Sequence, residues 1–394
     1  MDMPNIYDVL IIGSGPAGLS TALHLSRFAP DLGLATVILE KSRHPRPKLC
    51  AGGILAEGET ILRKLGLDLC EVPHVDVDKA HFNYKGRGMV ARLLKKGPIF
   101  RVVRRNEFDA WLAGKAREKR IEIREEVIVK SVETFDDYGL VKTNVGDFRA
   151  KVVVGADGSN SIVRRAVERN LRQHVGRALE IVTPTQPSSN IGGGQGRGQG
   201  QAFFDFLAVP KGISGYVWDF PTQINGQPMR CWGIYDSNTR PRPNRASLRR
   251  VLADEMEDHG YNLDDYELKG HPIRWYEPAS MPSAPRIILV GDALGVDALL
   301  GEGISPALGY GRIAAQAIKE AFEKNDFSFQ GYKKRILRSP LGGALWRRTF
   351  IAKLFYRFKT PQLQRIIWQR MRWLVGILAI LFVTGWEKKN RTRI

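Results

Sequence analysis

Apolar positions near the start of this chain come in short unbroken runs. Asp8-Val9-Leu10-Ile11-Ile12 leads into Gly13-Ser14-Gly15-Pro16-Ala17-Gly18, after which apolar residues recur at helical spacing from Leu19 to Phe28. Thr36-Val37-Ile38-Leu39 is a second run, closed by Glu40-Lys41. The pattern reads as a β-α-β unit over residues 6–40. Phe108, Trp111, Leu112 and Ala116 recur at helical spacing and predict a helix over 107–119. Residues 121–134 alternate as a strand does, and Asp136-Asp137-Tyr138-Gly139 is a turn before a strand at 140–143. The run Val152-Val153-Val154 ends in Gly155-Ala156-Asp157-Gly158. Short strands and turns are expected over 76–104, strands over 180–240, a charged helix over 247–259, a strand over 287–290, a loop over 291–303 and a helix over 305–323. The glycine-rich stretch 192–200 reads as a flexible loop, and nothing repeats at a fixed period.

The first turn carries chemistry. Gly13 permits a tight turn, Gly15 lets backbone N–H groups approach a pyrophosphate, and Gly18 lets helix and strand pack closely. The helix then presents its positive dipole end to the phosphates. Glu40, at the end of the second strand, can accept from a ribose 2′-hydroxyl, which argues against a 2′-phosphate. Together these residues predict a dinucleotide, FAD or NAD. Three later stations favour FAD. Asp157 and Asp292 each follow an apolar strand, where a carboxylate can bind the ribityl hydroxyls that NAD lacks. Gly301-Glu302-Gly303-Ile304 opens a helix whose N–H groups can stabilise negative charge on a reduced flavin.

Other segments carry a resemblance. Lys48-Leu49-Cys50-Ala51-Gly52-Gly53-Ile54 follows the second strand, Arg105 opens Arg105-Asn106-Glu107-Phe108-Asp109, and Gly215-Tyr216-Val217-Trp218-Asp219-Phe220-Pro221 reads as a Tyr-x-Trp-x-Phe-Pro motif. On these residues the sequence resembles the geranylgeranyl reductase family, within the aromatic-hydroxylase-type flavoproteins, over roughly residues 6–325. Thr222, Pro210, Ala298 and Tyr310 depart from the family's usual pattern. The resemblance implies a mixed α/β fold in which a Rossmann-like FAD-binding domain is interrupted by an antiparallel-sheet substrate domain. The expected division is 1–75, 104–180 and 270–330 for FAD, 76–103 and 181–269 for substrate, and 331–394 as a helical tail. The expected FAD contacts are Gly13, Gly15, Ala17, Gly18, Glu40, Lys41, Cys50, Ala51, Gly53, Arg105, Val127, Asp157, Asp292, Gly301, Gly303 and Ile304.

The implied reaction is reduction of isolated double bonds in a prenyl chain. Such an alkene accepts hydride only after protonation at its less substituted carbon, which demands an acid, a dry slot and aromatic faces for the positive charge. Tyr216, Trp218, Phe220 and Trp232 are the expected substrate lining, with Phe203 and Phe204 as further aromatic faces. Cys50 and Tyr216 are the candidate proton donors, both weak acids at neutral pH. Asp219 is expected on a solvated or polar face. The alternatives are an FAD monooxygenase or halogenase acting on an aromatic or polyene compound, and an electron-transfer flavoprotein delivering to membrane quinone. NADPH or a ferredoxin is the expected electron donor.

Composition refines the picture. The three cysteines, Cys50, Cys70 and Cys231, have neither disulfide nor zinc spacing, and the seven histidines show no metal pattern. With the first strand beginning so early, no cleaved leader is expected, and a reducing, cytoplasmic setting follows. Of the net charge of +19, residues 331–394 hold +15, from 16 Lys and Arg against Glu387 alone. A basic tail on a nearly balanced body points to an anionic membrane surface or an acidic partner rather than nucleic acid. Within that tail, Trp346, Phe350, Leu354 and Phe358 lie at helical spacing and Thr360-Pro361 breaks the helix. Residues 373–386 then give 14 positions without a charge, short for a bilayer crossing, followed by Lys388, Lys389, Arg391 and Arg393. Peripheral attachment is expected, with a lid over the substrate tunnel as the competing or coexisting role.

Overall fold

The computed structural model describes residues 6–93, 97–168, 175–186, 198–241 and 243–387. Its first layer is a largely parallel sheet. Strand Ile6–Ile12 lies between Thr36–Leu39 and Asp147–Gly155, parallel to both. Glu122–Arg124 extends the parallel set on one side and Ile287–Leu289 on the other. Val9, Leu10, Ile11, Val152 and Val153 are wholly buried, as strands covered on both faces must be. Helix Pro16–Phe28 crosses this sheet beside the long helix Ile304–Lys324. The two approach closely because Gly311 lies against Ser20, whose hydroxyl donates to the Leu308 carbonyl at 2.7 Å. The alternating stretch 121–134 is two strands rather than one. Glu126, with φ of 63°, turns the chain between them, sending Val129–Thr134 into an antiparallel hairpin with Gly139–Thr143.

The second layer is a seven-stranded sheet in the order Lys269–Arg274, Val175–Pro184, Gln227–Asp236, Gly215–Ile224, Gln201–Asp205, Lys79–Tyr84, Arg87–Ala91. Its pairings are antiparallel except between Gln201–Asp205 and Lys79–Tyr84. A small third sheet joins Gly53–Leu55, Phe100–Val103 and His74–Val77, so residues 76–103 contribute to two sheets. Of the glycine-rich stretch, residues 192–197 lie outside the described residues, as do the last basic residues from Lys388 onward.

The C-terminal helices Tyr332–Arg338, Pro340–Phe355, Pro361–Arg365 and Arg372–Phe382 close over one face of the large sheet. Pro340 and Pro361 each begin a helix, where the missing N–H costs nothing. The inner side of this tail is core. Trp368 stacks on Phe206 at 4.2 Å between ring centroids, and Tyr356 donates to the Leu299 carbonyl at 2.7 Å. Its outer side exposes Trp346, Phe350, Leu354, Trp373, Ile377, Ile380 and Leu381. No helix among the described residues is long and apolar enough to cross a membrane.

Candidate active site

One cavity of about 700 Å³ runs between the two large sheets. At its polar end lies the first glycine turn. Gly13 has φ of +102°, and a Cβ there would stand 2.4 Å from the Ala156 carbonyl oxygen, so only glycine fits. A Cβ built at Gly18 would lie 2.0 Å from the Gly13 oxygen, which shows how tightly the helix is docked on the turn. Gly15 has the opposite character, since its Cβ would meet nothing nearer than the Arg46 guanidinium at 3.9 Å. The helix behind it has no side-chain cap, leaving its first N–H groups for a ligand. Glu40 closes the neighbouring strand. Its Oε2 accepts from the Ser14 N–H at 2.9 Å and the Ser14 hydroxyl at 2.6 Å, and Arg46 lies 3.4 Å from Oε1. Each carboxylate oxygen accepts more than one bond, so the group can be held by Ser14 and still receive a ribose hydroxyl. Ala17, Lys41 and Val127 line the same end. A free anion-binding helix end, an open glycine and an anchored carboxylate fit the adenosine diphosphate half of FAD.

The middle of the cavity is framed by three strand ends. Asp157 accepts the Ser161 hydroxyl at 2.5 Å and the Ile162 and Val163 N–H groups at 2.6 and 3.2 Å, so its carboxylate chiefly holds its own turn. Asp292 accepts the Ser159 hydroxyl at 3.2 Å and lies beside Gly303. Arg105 forms a two-point bond with Asp109, both distances 2.8 Å, and its guanidinium also acts on the Cys50 thiol. Desolvation nevertheless pushes that thiol up, making Cys50 a weaker acid than usual. Gly52, at φ +80°, brings the Cys50-Ala51-Gly52-Gly53 segment against Val103.

The far end is apolar. Tyr216, Trp218 and Phe220 alternate along one strand and face the cavity with Phe204. The loop over them is pinned by three consecutive carbonyls: Ala298 accepts from Tyr235, Leu299 from Tyr356 and Leu300 from Tyr216 at 2.5 Å. Burial pushes the Tyr216 phenol far up, and its proton is already held by Leu300. Gly301, Glu302, Gly303 and Ile304 follow this loop and line the cavity where the long helix begins.

An FAD binding domain family matches residues 6–191. An uncharacterised protein of Methanosarcina barkeri is 30% identical over 89% of this chain and 84% of its own. The digeranylgeranylglycerophospholipid reductase of Methanosarcina acetivorans is 29% identical, covering 92% of this chain and 88% of its own. In structure, a geranylgeranyl bacteriochlorophyll reductase-like protein of Thermoplasma acidophilum superposes with a TM-score of 0.74 at 23% identity, over 97% of this chain and 94% of that one. This chain belongs to the geranylgeranyl reductase family. It is an FAD-dependent oxidoreductase of the geranylgeranyl reductase type.

Two aromatic expectations for this chain are corrected by strand register. Trp232 pairs with Asp219, not with Trp218, so it faces away from the cavity and packs among His259 and Tyr261. Phe203 pairs with Asp219 too and stacks on His81 at 4.4 Å. Asp219 does face away from the cavity, yet it is buried rather than solvated, bound to Arg230 at 2.7 Å. A one-residue offset decides each case, because side chains alternate between faces.

Lys48, Glu180, Tyr235 and His271 are among the cavity-lining residues that were not expected. Lys48 Nζ donates to His271 Nε2 at 2.6 Å, and burial lowers the pKa of both. Tyr235 stands opposite Tyr216. Glu180 is the lone acid in the apolar run Leu179-Glu180-Ile181-Val182, which was the signal available in the sequence.

Proposed function

We propose that this chain reduces isolated double bonds of a geranylgeranyl or related prenyl chain, by adding a proton and a hydride across each bond. The observation that carries this reading is the continuity of the cavity, from the glycine turn at Gly13 to an aromatic end at Tyr216, Trp218, Phe220 and Phe204. A relative that covers most of the chain is named as a reductase of a digeranylgeranyl lipid, in keeping with an apolar slot of this kind. FAD, when bound and reduced, supplies the hydride. The protein's part is to hold the chain straight, keep water out and stabilise positive charge. Trp218 and Phe220 present aromatic faces to the slot, and Cys50 and Arg105 lie where the two halves of the cavity meet.

The substrate is anchored in a membrane, and the tail is read as the surface that meets it. The outward row Trp346, Phe350 and Leu354 adjoins a second apolar helix in which Trp373 is 78% and Ile380 71% exposed. So much exposed apolar surface on a strongly basic segment suits peripheral docking on anionic lipid. The inner face of the same helices closes the aromatic cluster, so one segment serves as both dock and lid. The test is anaerobic. The purified holoprotein, reduced with dithionite, is mixed with a geranylgeranyl lipid. Flavin reoxidation is expected, with a product heavier by two hydrogens per bond. Reoxidation by oxygen alone, with a hydroxylated product, would refute the reading.

A further inference from the structure

The reaction proposed above needs an acid, and the two side chains first suited to the task are poor ones where they stand. Tyr216 already donates its proton to Leu300, and desolvation strengthens the hold of Cys50 on its own. Other carboxyl groups of the cavity are engaged. Glu40 is bound by Ser14, Asp157 by Ser161 and two N–H groups, Asp292 by Ser159, and Glu302 by Arg348 at 2.7 Å. Glu180 differs. It is 7% exposed, lines the cavity and makes no ion pair among the described residues; its Oε2 has no hydrogen-bond partner, a trait it shares with Oε1 of Glu302, whose other oxygen is tied to the Arg348 guanidinium.

We infer that Glu180 is the proton donor of alkene reduction, its carboxyl group facing the prenyl chain beside Trp218. This rests on the reading under Proposed function. The placement follows from register. Glu180 stands directly across from Gly233, which in turn stands across from Trp218. The Trp218 ring lies over Gly233 so closely that a Cβ there would be 2.0 Å from Cζ2. The bare glycine therefore lets the indole lie beside the carboxyl group on the cavity wall. An acid and an aromatic face are adjacent, as protonation of an alkene requires.

The charge state agrees with this role. Desolvation raises the Glu180 carboxyl to about 7, opposed by Arg104, the Cys50 N–H, the Cys231 thiol and Lys269. Those groups and the Cys50 thiol are the charged and titratable groups that act on it, with the Lys48–His271 pair further along the neighbouring strand. The group is therefore protonated in a large fraction of molecules at neutral pH. The same neighbours stabilise the carboxylate left after transfer.

The step balances. The Glu180 O–H bond breaks and a C–H bond forms at the less substituted carbon, using the alkene's π pair. The resulting tertiary cation lies against Trp218 and accepts hydride, with its electron pair, from reduced flavin. The alkene has then gained one proton and one hydride, the flavin is oxidised by two electrons, and Glu180 is a carboxylate. Water restores its proton when the product leaves.

The test uses reduced holoenzyme and a geranylgeranyl lipid. Glu180→Gln is expected to slow flavin reoxidation by the lipid by roughly 10²- to 10⁴-fold, the usual reach of general acid catalysis. The lipid's perturbation of the oxidised flavin spectrum should be unchanged. The wild-type rate should fall as pH rises past about 7, Glu180→Asp should retain that pH dependence, and Glu180→Gln should lose it. Infrared difference spectra give an independent readout: a buried protonated carboxyl band should disappear between about pH 6 and about pH 8 in the wild type and be missing from Glu180→Gln. A Glu180→Gln enzyme with the wild-type rate and pH profile would overturn the inference. So would a wild type without the infrared band, even if the variant failed to fold. A wild type that the lipid cannot reoxidise would overturn the proposed function instead.

Discussion

Arg348 ties the C-terminal helices to the loop above the candidate site, and its removal should be felt throughout the molecule. The side chain is 1% exposed. Nη1 lies 2.7 Å from Glu302 and 3.4 Å from Asp297, while Nε and Nη2 donate to the Val383 carbonyl at 3.0 and 2.6 Å. Arg348→Leu keeps the apolar stem but strands two buried carboxyl groups and a carbonyl. Breaking a buried pair in this way costs about 3–5 kcal/mol. For a chain of this size the unfolding entropy is roughly 0.8 kcal/mol per degree, so Tm should fall by about 4–6 °C. The pH dependence carries a sign. Burial already raises the Glu302 pKa against the pull of Arg348, and without the arginine it rises further. A carboxyl whose folded pKa is raised adds stability below its unfolded value and loses it as pH rises through the folded value. The deficit of the variant should therefore be larger at about pH 8 than at about pH 5, and Glu302→Gln added to Arg348→Leu should recover part of it. Differential scanning fluorimetry at both pH values measures this, and limited proteolysis should show earlier cleavage within 340–387. A deficit under about 1 kcal/mol, or one equal at both pH values, would refute the argument.

Three further outcomes are expected. Gly13→Ala forces a Cβ to 2.4 Å from the Ala156 oxygen at a left-handed backbone position, so the protein should lose FAD on gel filtration and about 1–3 kcal/mol of stability. Trp232→Ala should cost about 3–5 kcal/mol in denaturant titration while leaving KM for the prenyl lipid unchanged, whereas Trp218→Ala should alter turnover; the reverse pattern would contradict the faces assigned from register. Ile377→Glu with Ile380→Glu, both on exposed positions, should abolish co-sedimentation with anionic vesicles and shift stability by less than about 0.5 kcal/mol each; unchanged sedimentation would rule out the tail as a membrane dock.

Much of the site was legible because its parts are local. The turn from Gly13 to Gly18, the carboxylate at Glu40 and the strand ends before Asp157 and Asp292 each depend on a few consecutive residues. Alternation alone places Tyr216, Trp218 and Phe220 on one face, since side chains reverse with every residue of a strand. The division of 121–134 was not legible, because Glu126 takes a left-handed conformation that its residue type does not announce.

The sequence by itself determined the nucleotide cradle, the flavin chemistry it implies and the basic, apolar character of the tail, all of which are set by near neighbours in the chain. Tertiary structure alone decided which aromatics meet the cavity, that Glu180 stands beside Trp218 and Cys50, that Arg348 reaches Asp297 and Glu302, and which side of the tail is core. Those facts depend on strand register and helix docking. A shift of one residue in either changes every contact while leaving the local pattern of the sequence untouched.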